Sequence, residues 1–210
     1  MKKSKGRIFI AAGAIMFAAA VILILFNITQ DKKSGERANA VLGELEAKIS
    51  VEAAEIETEP VTSENDLFAK YEPIEEKTEA YAEIDGEMYV GIISIPKLGI
   101  KLPVMSNLSY DNLKISPCRY SGTAYDGNLI IAAHNYSSHF GKLSELSCGD
   151  EIIFIAADGK EYKYETLQTE TVGGTEVEKL VSNEEGAWSL TLFTCTLSGQ
   201  SRVCVRAQLV

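Results

Sequence analysis

The segment Ser189–Thr194, S-L-T-L-F-T, runs straight into Cys195, and the chain returns as Arg202–Leu209, R-V-C-V-R-A-Q-L, after a loop holding Ser198-Gly199. β-Branched and apolar flanks around a turn predict two strands lying side by side. Period-2 alternation in the second strand puts Arg202, Cys204, Arg206 and Gln208 on one face. Val203, Val205, Ala207 and Leu209 take the other face, packed in the core. Cys195 thus ends one strand beside an arginine-bearing neighbour. A nearby cation favours the thiolate that attacks a carbonyl, and a guanidinium can hold the oxyanion that forms. On the residues alone, Cys195 as a small core residue and both arginines as solvated or ion-paired groups remain open.

Upstream, the same reading gives more strands. Met88–Ile95 (M-Y-V-G-I-I-S-I) ends at Pro96, Lys101–Met105 follows, and Asn128–Ala133 (N-L-I-I-A-A) is a buried run. Glu151–Ala156 and Lys160–Thr169 flank the turn Asp158-Gly159, a hairpin signal. Short helical stretches are expected near Tyr110–Ile115, Lys142–Leu146 and Val177–Ser182. Seven or so short strands with brief helices suggest a closed or nearly closed β-barrel. The chain has two histidines, His134 and His139. His134 directly follows the buried run, so it stands at a strand end, where a scaffold delivers side chains to a surface site. His134 and Cys195 form a candidate His–Cys pair, whereas His139 reads as a loop residue.

Before this domain the chain changes character twice. Residues 1–30 carry Lys2, Lys3, Lys5 and Arg7 and no acid. Residues 31–86 carry 16 acidic and 6 basic residues, a charge of −10, and residues 87–210 carry −4. Ile8–Phe26 is 19 residues without a charge. At 1.5 Å per residue it spans roughly 28 Å, the thickness of a bilayer's hydrocarbon core. The preceding cations predict an N-terminus in the cytoplasm and the rest of the chain outside. A cleaved leader fits less well, because Val21–Phe26 continues the apolar run past Ala18-Ala19-Ala20. Ala38–Glu57 reads as a helix, with Val41, Leu42, Leu45 and Ile49 three to four apart. Glu59–Asp85 reads as a solvated acidic linker, with Asp66-Leu67-Phe68 the one candidate plug over a site. The expected domains are therefore a tail (1–7), a transmembrane helix (8–27), an acidic stalk (28–86) and a catalytic domain (87–210). A net charge of −10 argues against nucleic acid as a partner. Four cysteines without metal-ligand spacing argue against a disulfide scaffold or a zinc site.

Four segments carry a family resemblance. Thr191-Leu192-Phe193-Thr194-Cys195 resembles the T-L-x-T-C signature of sortases. Gly91–Val104 resembles their opening G-x-I-x-I-P-K-L-x-I-x-L-P-V. Gly127–His134 is similar to the histidine strand, and Phe140–Leu146 followed by Gly149-Asp150 is similar to F-x-x-L-x-x-L…G-D. The resemblance covers residues 88–210 in the family's order. It implies an eight-stranded sortase-type β-barrel and a membrane-anchored cysteine transpeptidase outside the cell. By this likeness Cys195 is the nucleophile, His134 the general acid/base, and Arg202 the oxyanion and substrate donor, since R-x-x-V-x-A starts at Arg202. Thr194, before the nucleophile, is expected to touch the substrate or the arginine.

The resemblance also implies partners. These are secreted proteins with an L-P-x-T-G-type sorting signal, and a cell-wall precursor or pilin amine that resolves the thioester. The short barrel, and a chain in which neither a second apolar run nor a convincing lid is read, suggest a class D- or E-like sortase, with class B as runner-up. No cofactor is expected. Some relatives hold calcium with acids in the region of Glu161, Glu165 and Glu170, but alternating carboxylates on a strand are usually solvated. Cys118, Cys148 and Cys204 are expected to be free, with a disulfide left open. This chain departs from the family at Ala133, where Gly is usual, at Ser116–Tyr120, and in its short Cys195–Arg202 loop. The rival functions are a peptide-binding module or a thiol hydrolase on the same barrel.

Overall fold

The computed structural model describes residues 3–57, 79–181 and 186–210. Asp66-Leu67-Phe68 lies outside the described residues. The strands are β1 (Ala82–Ile84), β2 (Glu87–Ile95), β3 (Ile100–Met105), β4 (Cys118–Ser121), β5 (Leu129–Ala133), β6 (Glu151–Ala156), β7 (Glu161–Gly173), β8 (Leu190–Cys195) and β9 (Ser201–Leu209). Their order is β1-β2-β3-β4-β5-β8-β9-β7-β6, and β6 pairs back onto β2. Strands β2 to β9 therefore close an eight-stranded barrel, and β1 extends the edge of β2 next to β6. Closure leaves few unpaired strand edges, the condition under which many short strands are stable. At the closing seam Gly91 has φ +153°, and a Cβ there would lie 2.1 Å from the Ile155 carbonyl oxygen. Only glycine lets β6 approach that closely.

The expected strands are present. β1 and β4 are additional, short elements without a run of alternation. β3–β4 and β5–β8 are the parallel pairs, and the other pairs are antiparallel. The barrel interior is filled from alternate positions: Ile93, Ile95, Leu129, Ile131, Leu190, Leu192, Val205 and Ala207 are all buried in one cluster. At roughly 1.5–3 kcal/mol per buried aliphatic side chain, this cluster is the main source of stability. Outside the barrel, a second apolar patch covers β5, β8 and β9: Ile130, Ala132, Phe193 and Cys204 lie under Leu180. Leu180 belongs to the short helix α3 (Val177–Val181).

The helix α1 (Lys3–Glu57) runs unbroken through the boundary expected at residue 27. Its only glycine beyond residue 13 and before residue 43 is Gly35, and no proline interrupts it, so the polar stretch after Phe26 continues the helix instead of ending it. Its apolar N-terminal half is exposed from Ile8 to Phe26, and its most apolar window has a mean hydropathy of 2.9. By length and composition it is the one helix among the described residues suited to cross a membrane. The later half behaves differently: Ala38, Leu45 and Ile49 are buried against the barrel.

Candidate active site

Register brings the predicted residues to one end of three neighbouring strands. In the parallel pair β5–β8, Ala133 faces Thr194, so His134 and Cys195 are the next residues on adjacent strands. In the antiparallel pair β8–β9, Cys195 faces Arg202 directly. Neighbouring strands lie about 4.8 Å apart, which puts the three backbones side by side in the order His134, Cys195, Arg202. Leu192 lines the interior, while Phe193 belongs to the outer patch. Alternation therefore turns Cys195 outward, and the same count puts His134 and Arg202 on the outer face.

The short β8–β9 loop fixes this pairing. Thr196 N–H donates to the Ser201 carbonyl at 2.9 Å, and Gly199 N–H to the Thr196 carbonyl at 2.8 Å. Gly199 has φ +71°, a left-handed turn position that suits glycine. The tight hairpin sets Arg202 opposite Cys195 with no slack. The Arg202 Nη1 donates to the carbonyls of Gly199 and Ser201, both at 3.1 Å.

His134 packs against two aromatic rings, Tyr136 at 4.8 Å and Tyr110 edge-on at 5.7 Å between centroids. Tyr110 opens the short helix α2 (Tyr110–Leu113), capped by the Ser109 hydroxyl. The His134 Nε2 is buried and makes no hydrogen bond among the described residues. Burial, with the Lys114 ammonium adding to it, holds the imidazole below its ordinary value. The lowered value favours the neutral ring at pH 7.

Thr194 is buried, and its hydroxyl donates to the Ala133 carbonyl at 2.8 Å. Its side chain ties β8 to the residue before His134. Ala133 itself sits in regular strand and packs in the barrel core, so the departure from glycine changes no turn there. Arg206, one pair further along β9, is 1% exposed. It donates to the Thr191 hydroxyl at 2.8 Å, to the Leu180 and Lys179 carbonyls and to Glu170, and lies over the Trp188 ring. Sequence alternation assigned it the right face but gave no sign that α3 would fold over it. Leu209, expected in the core, is half exposed at the end of β9.

Cys118 and Cys204 are buried, Cys148 is exposed, and all four cysteines are free. Burial pushes the Cys118 thiol up to about 12 and the Cys204 thiol up to about 11, which keeps both protonated and inert. Glu161 pairs with Lys163 and Glu170 with Arg206. Among the described residues no group of three or more His, Cys, Asp or Glu side chains converges on a point where a metal could sit.

Comparison with known proteins agrees with the motifs. The family model of the Sortase domain matches residues 93–210. The chain is 29% identical over 121 residues to sortase A of Bacillus anthracis, covering 55% of this chain and 56% of that protein. It is 27% identical over 108 residues to sortase D of Bacillus subtilis (strain 168), covering 50% and 53%. The chain thus spans about half the length of the curated relatives it matches. Among solved structures, sortase C1 from Streptococcus agalactiae superposes with a TM-score of 0.52 at 27% identity, over 61% of this chain and 70% of that one. A Clostridium perfringens sortase D5 transpeptidase shares the fold at 20% identity, with a TM-score of 0.58 over 83% and 99%.

Proposed function

The chain belongs to the sortase family, and from that premise we propose that it is a membrane-anchored cysteine transpeptidase acting on an L-P-x-T-G-type sorting signal. The observation that carries this reading is the register that aligns His134, Cys195 and Arg202 at one end of β5, β8 and β9. The neutral His134 takes the Cys195 thiol proton as substrate binds, and the thiolate attacks the Thr carbonyl carbon of the signal. Arg202 donates to the oxyanion of the tetrahedral intermediate. The Thr–Gly C–N bond breaks, His134 returns the proton to the leaving amine, and a Cys195 thioester remains. An incoming amine then attacks the thioester carbonyl and gives its proton to His134. The C–S bond breaks, and the thiolate recovers that proton.

The amine is that of a cell-wall precursor or a pilin. The exposed apolar half of α1 would anchor the protein, with its basic N-terminus in the cytoplasm and the barrel outside. The short barrel without large insertions fits a class D- or E-like sortase.

The test is intact mass spectrometry of the full chain in detergent micelles with L-P-x-T-G-type peptides, with and without triglycine. The reading expects a Cys195 thioester adduct, absent in Cys195→Ala, and an amine-joined product. Hydrolysis alone with every amine offered would make it a thiol hydrolase. Peptide binding with no adduct would make it a binding module.

A further inference from the structure

The segment of α1 just beyond its apolar stretch grips the loop that carries His134. Asp31 lies five residues past Phe26, about 7 Å along the axis. Its carboxylate accepts from four donors on two consecutive residues of that loop. The Ser137 N–H donates to Oδ2 at 3.1 Å, joined by the Ser137 hydroxyl. The Ser138 N–H and hydroxyl donate to Oδ1 at 3.1 and 2.5 Å. One turn later, the Ser34 hydroxyl donates to the Lys114 carbonyl at 2.6 Å and lies 3.0 Å from the His139 Nε2. The single hydroxyl proton is spent on Lys114, so the His139 Nε2 carries the hydrogen and donates to Ser34. Gly35 completes the contact, since a Cβ there would stand 3.0 Å from the Ser138 Cβ.

The loop so held is rigid in itself. Phe140 N–H donates to the His134 carbonyl, and His139 and Gly141 N–H both donate to the Tyr136 carbonyl. Any side chain at Gly141 would strike the Asn135 and Tyr136 carbonyls. A displacement of Ser137 and Ser138 is therefore passed to Tyr136, whose ring stacks on His134. Lys114, bridged by Ser34, follows α2 and so links the helix to Tyr110, the second ring against the imidazole. Both walls of His134 depend on the same two turns of α1.

We infer that Asp31 and Ser34 are positioning residues for the general acid/base, so that the anchor helix is a working part of the active site and not only a tether. This rests on the role given above to His134. A catalytic group displaced by about 1 Å loses on the order of 10²-fold in rate.

The experiment uses the full chain in micelles, with kinetics on the sorting peptide and triglycine, and ring NMR of its two histidines assigned through His134→Gln. Asp31→Ala is expected to lower kcat about tenfold or more with KM little changed, and to move the His134 ring signals and their titration. Asp31→Asn, which keeps one acceptor oxygen, recovers part of the rate, and Ser34→Ala moves the same readouts less. Lys32→Ala, exposed on the next position, leaves both readouts unchanged. Wild-type kcat and unmoved His134 signals in Asp31→Ala would overturn the inference. If Asp31→Ala does not fold, Ser34→Ala decides by the same two readouts. If the wild-type chain joins no peptide, the role of His134 fails, and the ring signals alone decide whether Asp31 positions it.

Discussion

Two regions of the same strands treat their polar side chains in opposite ways. At the open end of β5, β8 and β9, His134 keeps a buried nitrogen with no partner, and Arg202 rests on the carbonyls of its own hairpin. Four residues along β9, Arg206 is fully enclosed and bonded to two carbonyls, a hydroxyl and a carboxylate. The two histidines differ in place more than in pairing: His139, in the loop five residues after His134, is completely buried with Nε2 tied to Ser34, and its Nδ1 makes no hydrogen bond among the described residues. A buried polar group with all its valences used supports the fold. One with a valence to spare, at the end of a rigid strand, is available for chemistry. The difference separates residues that look equivalent in sequence.

Breaking the open region carries the largest expected effect. Cys195→Ala removes the proposed nucleophile and should take transpeptidation to background, a loss above about 10³-fold, with the thermal midpoint little changed. His134→Gln should lose on the order of 10²–10⁴ in kcat. Product formation by mass spectrometry and unfolding by circular dichroism check both.

Breaking the enclosed region should instead cost stability. Arg206→Ala leaves the Thr191 hydroxyl and the Leu180 carbonyl without their buried donor, and about 3 kcal/mol is expected to be lost in denaturant unfolding. An unchanged midpoint would mean that the enclosed contacts do no structural work.

A smaller effect sharpens the contrast by pH. Burial first, and then the neighbouring His134, push His139 down from 6.5 to about 4, against the opposing pull of Asp31. Below pH 6.5 the unfolded chain binds a proton there that the folded chain refuses until about pH 4. Stability from this group is full above that window and lost as pH falls through it, by about 2 kcal/mol at pH 5. His139→Gln should flatten this part of the stability–pH curve, and an unaltered slope would refute the assignment.

Much of this was legible in the sequence, for physical reasons. The long strands announce themselves by apolar runs bounded by turn residues, as in β5 and the β6–β7 hairpin. The His–Cys–Arg constellation follows from strand ends and alternation, aided by the family motifs. β4 was hidden because Cys118–Ser121 is four residues long, follows Pro117 and does not alternate. β1, three residues long in an acidic segment, gives no local signal at all. Asp31 and Ser34 act on residues more than 100 positions away, which no local pattern encodes. The burial of Arg206 depends on α3 folding across β9, again a tertiary fact.

The most direct measurement is the single-turnover rate of Cys195 acylation in Arg202→Ala and Arg206→Ala, taken at a temperature where both are folded. The account predicts a loss of about 10²-fold for Arg202→Ala, the proposed oxyanion donor. It predicts a rate within about threefold of wild type for Arg206→Ala. A larger loss in Arg206→Ala than in Arg202→Ala would contradict it.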